Sequence, residues 1–134
     1  MTDLTKTLRE LEGGPPNWPG SETWPSYLVA TCERLYKKPI KDFTTEDLRV
    51  MIGQQIGVEF LVPVALERLV ENPFEQGDFH PGDLLGAVLR LPREYWHTHF
   101  GEWQVAISIA KSAVLAIDAV MPDIKAFQAL PRPV

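Results

Sequence analysis

Prolines and glycines divide this 134-residue chain into short segments, and most segments carry apolar residues at helical spacing. The chain has 12 prolines and 9 glycines, and a proline inside a helix removes a hydrogen bond and clashes with the preceding turn. Leu4, Leu8 and Leu11 recur every three to four residues before the break at residues 13–16. No segment shows the sustained alternation that is typical of strands between hairpin turns. The sequence therefore predicts an all-α fold.

The segments between these breaks predict a compact single-domain bundle of about five to six helices, joined in one place by a long acidic loop. Pro39, Pro73 and Pro92 each follow a segment with helical periodicity. The segment 104–120 is the richest in isoleucine, valine and alanine. Since a helix that is apolar on most faces is usually buried, we expect this last helix to lie at the centre of the bundle.

The two ends of the chain differ in composition from the middle. Residues 1–25 combine a short leucine-bearing helix with a proline-rich loop that contains Trp18 and Trp24, and we expect both to dock on the core because the tryptophans are large apolar anchors. Residues 119–134 contain three prolines and show weaker periodicity. We expect them to form a loosely attached C-terminal tail of the single domain 1–134.

The stretch GQQIG at 53–57 separates two segments with helical periodicity. Thr44 or Thr45 can cap the helix before it, and Gly53 is a plausible end for that helix in a left-handed conformation. Gln54 and Gln55 could reach a ligand, but we favour a tight corner in which their amides satisfy backbone groups. Under this interpretation, Gly53→Val should lower the thermal stability of the domain.

Charge and cysteine content exclude several functions. The formal net charge is -5 at pH 7, which is the wrong sign for a surface that binds nucleic acid directly. Cys32 is the only cysteine, so the chain alone can form neither a disulfide nor a cysteine-based zinc site. Residues 1–10, MTDLTKTLRE, do not combine a basic region with an apolar stretch as signal peptides do, and no run of about 18 uninterrupted apolar residues is present. We expect a cytoplasmic protein that does not bind membranes.

Acidic residues are concentrated between residues 67 and 83. This 17-residue segment has five acids against Arg68, a net charge of -4. The acids surround Phe74, Phe79 and His80, an arrangement of aromatic anchors and steering charge that is common in protein interfaces. A solvated helix face followed by a soluble loop would have the same composition. The functional interpretation predicts partner contacts at Glu71, Glu75, Asp78, Phe79, His80 and Asp83.

We find no set of residues that predicts catalysis, a cofactor or a metal. His97 and His99 lie near Glu94 and Glu102, but two residues apart on a helix they point in roughly opposite directions. No nucleophile elbow or metalloprotease spacing is present. We therefore predict a protein that is not an enzyme, with no cofactor-binding or metal site.

Several motifs, taken in order, resemble the immunity proteins of bacterial contact-dependent growth inhibition (CDI) systems. They are LRELEG, KPIKDFTTEDLR, IGQQIG, LVPVAL and PGDLL. The similarity extends from about Leu4 to about Ile117. The order of these motifs is more specific than any one of them, and most of them look like caps, corners and core positions.

This resemblance implies that the chain binds and neutralises the C-terminal domain of a cognate toxin, one to one, by occluding its active site or substrate surface. Such toxins are often nucleases, which present basic surfaces to nucleic acid, and an acidic inhibitor would complement them. One alternative is a helical adaptor or regulator that binds a host protein. A more distant one is a small hydrolase that uses His80 or His97 with an acidic partner.

Overall fold

A computed structural model describes residues 1–133, and in this part of the chain the fold is helical throughout. It has seven α-helices, two short 3₁₀ turns and no strand, so the predicted all-α fold is confirmed. The sequence predicted five to six helices. The additional helix is α6, which forms within the aromatic segment at 93–103. The helices are α1 (Leu8–Glu12), α2 (Ser26–Tyr36), α3 (Thr45–Gly53), α4 (Val58–Glu71), α5 (Asp83–Leu89), α6 (Arg93–His97) and α7 (Phe100–Gln128), and the 3₁₀ turns are Ser21–Thr23 and Ile40–Asp42.

The core is a single apolar cluster to which α2, α3, α4 and α5 contribute most of the buried side chains. Helix α3 packs against α2, α4 and α5, and its predicted apolar stripe of Leu48, Met51 and Ile52 is buried. The helix begins with a capping box in which the Thr44 hydroxyl accepts from the Asp47 amide while the Asp47 carboxylate accepts from the Thr44 amide. The local sequence thus determines where α3 begins, and its stripe determines which face is buried.

The GQQIG corner joins α3 to α4 as predicted, but the left-handed glycine is not the one expected from the sequence. Gly53 is the last residue of α3 and is not left-handed, whereas Gln55 (φ 58°) and Gly57 (φ 63°) are. Backbone hydrogen bonds close the corner, such as the one from the Ile56 amide to the Met51 carbonyl at 2.8 Å. Neither glutamine side chain forms a hydrogen bond with any residue from 1 to 133. The prediction that the Gln54 and Gln55 amides satisfy backbone groups was therefore wrong. The prediction that Gly53→Val lowers stability also loses its reason, because Gly53 is not left-handed.

The N-terminal residues lie against α2 and the corner before α4. Leu8 is fully buried, and its side chain fills the space where a Cβ at Gly57 would be. Trp18 stacks on Trp24 at 6.2 Å between ring centroids and meets the edge of Tyr36 at 5.5 Å. These contacts are formed by residues of the N-terminal segment 1–25.

Helix α7 differs from the prediction in position and in length. It is not central, because only Ala106, Ile109 and Ala113 are buried, on the side that faces α4. It does not end near residue 119 but continues through Pro122 to Gln128. From residue 114 to 133, every residue except the half-buried Met121 is exposed. The apolar composition that predicted a central helix belongs to a helix that extends beyond the core.

Candidate functional site

The acidic loop, defined here as residues 72–82 between α4 and α5, is an ordered turn. The Asn72 side chain accepts a hydrogen bond from the Phe74 amide at 3.0 Å, and the Gly82 amide donates to the Phe74 carbonyl at 3.2 Å. Gln76 and Pro81 form an isolated antiparallel bridge across the turn. Phe74 packs against the core. The loop therefore presents its remaining side chains from a defined backbone.

The carboxylate of Asp83 organises the tip of the acidic loop. Asp83 is the first residue of α5 and is only 4% exposed, and its carboxylate accepts from the amides of Gly77 (2.7 Å), Phe79 (3.0 Å) and His80 (3.4 Å). Burial acts to raise the pKa of Asp83, but these amides together with the nearby Arg49 guanidinium lower it below its ordinary value. Gly82 is the N-cap residue of α5, so Asp83 does not cap this helix but instead orders the loop before it.

Glu46 and Arg49 tie the acidic loop to α3. Arg49 donates two hydrogen bonds of 2.6 Å to the Glu46 carboxylate, which also accepts from the Asp78 amide at 2.9 Å. The bonds from Arg49 lower the pKa of Glu46, and the same bonds raise the pKa of Arg49. Arg49 Nε lies 3.9 Å from the Asp83 carboxylate. Part of the negative charge in this region is therefore neutralised beneath the loop.

Phe79 is the most prominent apolar side chain of the loop. The residue is 70% exposed, and the Arg49 guanidinium lies 4.3 Å from the ring centroid, a cation–π contact that restrains the ring. A groove of about 550 Å³ between α2, α3 and the loop is lined by Tyr27, Asp78 and Phe79 among others. Tyr27 is 73% exposed. Two exposed aromatic residues thus line the same groove.

The six predicted contact residues come together around this loop, but not all on its surface. Four of them are exposed and Glu75 is half-buried, while Asp83 is buried beneath the turn. The exposed four are Glu71, Asp78, Phe79 and His80.

The histidines have local structural contacts. His80 is exposed, and its Nδ1 lies 2.9 Å from the Pro81 carbonyl. His99 stacks on Tyr95 at 4.0 Å, and the Tyr95 hydroxyl donates to the Glu102 carboxylate. His97 is exposed at the end of α6. Within residues 1–133, no three histidine, cysteine, aspartate or glutamate side chains are grouped so that they could hold a metal ion.

Sequence reasoning missed Tyr27 and Arg49. The three-residue spacing of Glu46 and Arg49 could have indicated an ion pair on one helix face. No local signal could have placed that pair beneath residues 77–79, since the two segments are about thirty positions apart in the sequence. Tyr27 looked like one of several apolar residues of α2.

The fold and this loop define a class of compact helical protein with an ordered acidic surface. A family model for CDI immunity proteins matches residues 12–105. The match covers more than half of the chain, so the chain belongs to this family and is a toxin-neutralising immunity protein. No curated protein and no solved structure matches the chain.

Proposed function

We propose that this protein binds the C-terminal domain of its cognate toxin through the acidic loop and the adjoining groove, one to one, and thereby covers the toxin's active site or substrate surface. The protein acts in the cytoplasm and catalyses no reaction of its own. The observation that carries the proposal is the ordered, acidic and aromatic surface of the loop in a chain of this family.

The proposed partner is a basic nuclease domain. Nucleases bind a polyanion and so present positive charge around the active site. The exposed carboxylates of Glu71 and Asp78, with the half-buried Glu75, would complement such a surface. Complementary charge raises the rate of encounter and fixes the orientation of the partners.

The two exposed aromatic rings supply the anchors that charge alone does not. Large aromatic side chains contribute much of the binding energy at interfaces when a partner buries them. Phe79 is already restrained by Arg49, so its ordering on binding costs little conformational entropy. In this proposal Asp83 is a positioning residue, because its buried carboxylate holds Phe79 and His80 in place.

Charge reversal of the loop tests the proposal. The loop's hydrogen bonds use the backbone amides of Glu75 and Asp78 and not their carboxylates, so Glu75→Lys with Asp78→Lys should leave the fold intact. We expect the association rate constant with the toxin domain encoded beside this chain to fall by about tenfold or more at low salt, with a smaller difference at high salt. Stopped-flow fluorescence measures the rate.

The matched control carries the same change of charge on other helices. Glu94 on α6 and Asp123 near the end of α7 are both exposed, and Glu94→Lys with Asp123→Lys should change the rate by less than about twofold. Equal rates for the two double variants would contradict the proposed surface. Failure of the wild-type chain to bind the toxin domain would contradict the proposed partner.

A further inference from the structure

Helix α7 carries an apolar stripe that continues after the core ends. Within the body the stripe consists of the buried residues Ala106, Ile109 and Ala113. Beyond Ala113 the same helix remains apolar for about another four turns but is no longer covered by the rest of residues 1–133. The exposed large apolar residues of this part are Val114, Leu115, Ile117, Val120, Ile124 and Phe127.

The exposed part of α7, residues 114–128, has the spacing of a coiled-coil seam. Val114, Ile117, Met121 and Ile124 follow one another at intervals of three, four and three residues, which corresponds to alternating a and d positions of a heptad. Pro122 falls at position b, on the side of the helix away from this seam. A second helix can therefore approach the seam without meeting the proline.

The charges beside the seam favour one orientation of a second identical helix. Asp118 and Lys125 are both exposed and both occupy position e, one heptad apart. In an antiparallel pair the e positions of the two helices face each other. Asp118 of each chain would then face Lys125 of the other, while Met121 packs against Ile124 and Val120 against Phe127. A parallel pair in register brings neither of these charges opposite its complement.

We propose that residues 117–128 of α7 pair antiparallel with the same residues of a second copy of this chain. In this register Ile117, Val120, Met121, Ile124 and Phe127 of each copy lie within the overlap, and at about 100 Å² each the two copies would bury about 1,000 Å², at the lower limit for a specific protein interface. The pairing lies on α7 and not on the acidic loop, so it is compatible with one toxin domain bound to each copy.

Sedimentation velocity of the full chain tests the apolar seam. We expect the wild-type protein to sediment as a dimer at micromolar concentration. Ile124→Glu, at a d position, should raise the dissociation constant at least tenfold, whereas Leu115→Glu, an equally drastic change at the exposed b position, should change it by less than about threefold. A wild-type chain that remains monomeric at high micromolar concentration would overturn the proposal.

A charge exchange tests the antiparallel orientation. Asp118→Lys and Lys125→Asp should each weaken self-association by about tenfold, since each places two like-charged pairs in the dimer. An equimolar mixture of the two variants should form a heterodimer of about wild-type affinity, because every facing pair is then of opposite charge. Failure of the mixture to recover would overturn this orientation.

Helix α7 is also long and apolar enough to cross a membrane, and only 17% of its most apolar 18-residue stretch is buried. Binding of the chain to phosphatidylcholine vesicles tests whether the stripe contacts lipid instead of a second copy. Binding of the wild-type chain to these vesicles in preference to self-association, with loss of binding in Ile124→Glu, would assign the stripe to a lipid surface and overturn the proposed pairing.

Discussion

The acidic loop and the exposed half of α7 both project from the core, but they are held in opposite ways. The tip of the loop is fixed by hydrogen bonds that its backbone amides donate to the carboxylates of Asp83 and Glu46. Residues 114–128 are fixed by the hydrogen bonds of their own helix and leave their apolar side chains in solvent. Hydrogen bonds therefore order a loop whose side chains are polar enough to face water. The apolar side chains of α7, in contrast, would gain free energy if another surface buried them.

Matched leucine truncations should show the largest difference between the two regions. Leu84, directly after Asp83, is fully buried, whereas Leu115 on α7 is 69% exposed. We expect Leu84→Ala to lower the free energy of unfolding by about 3 kcal/mol, since it removes buried surface and leaves a cavity. Leu115→Ala should change it by less than about 0.5 kcal/mol. Urea unfolding followed by circular dichroism measures both, and equal losses would mean that residue 115 is covered in the folded protein.

Removing the charge of Asp83 should have the next largest effect, and that effect should depend on pH. Asp83→Asn takes the charged acceptor away from three backbone amides, and we expect a loss of about 2 kcal/mol at pH 7. Burial opposes ionisation, but the amides outweigh it and lower the pKa of Asp83 in the folded protein. The stabilisation is therefore complete above the unfolded pKa of about 4 and is lost as the pH falls through the lower folded pKa.

The difference in unfolding free energy between wild type and Asp83→Asn should thus shrink below about pH 4. Urea unfolding at pH 7, pH 4 and pH 3 gives this difference directly. A difference that stays constant over this range would show that the ionised carboxylate does not hold the loop.

Two glycine substitutions should give the smallest effects, with opposite signs. A Cβ at Gly77 would lie 2.5 Å from the Glu46 carboxylate and 3.3 Å from its Cα, so Gly77→Ala should lower the unfolding free energy by about 1 to 2 kcal/mol. Gly101, in the first turn of α7, has no neighbour within 4 Å of such a Cβ. Gly101→Ala should raise stability by about 0.5 kcal/mol through the unfolded chain. Thermal unfolding of both variants checks the signs, and a stabilised Gly77→Ala would contradict the close packing of loop and helix.

Much of the helical architecture could be predicted because its signals are local. Thr44 with the acids after it located the start of α3, and the segment 53–57 located the corner. The sequence was less informative about details that depend on distant partners. Gly57 and not Gly53 is left-handed, and Asp83 bonds to the loop and not to its own helix. Cap preferences could not reveal either outcome.

The acidic loop illustrates the same limit for the candidate site. Its acids and aromatics are visible in the sequence, and the family match is consistent with the resemblance seen in the motifs. Nothing in residues 67–83 shows that Phe79 would be restrained by Arg49 of α3 or would line the same groove as Tyr27. These contacts join segments that are far apart along the chain.

The amino-acid sequence by itself determined the helical class, the positions of most breaks and the concentration of acidic residues, because periodicity, caps and charge act within a few residues. Only the tertiary structure decided which apolar residues are covered. The stripe of α7 is apolar both within the core and beyond it, but only Ala106, Ile109 and Ala113 are covered, on the side that faces α4. A side chain is buried only when a second surface packs against it, and the periodicity of a helix describes the helix face alone.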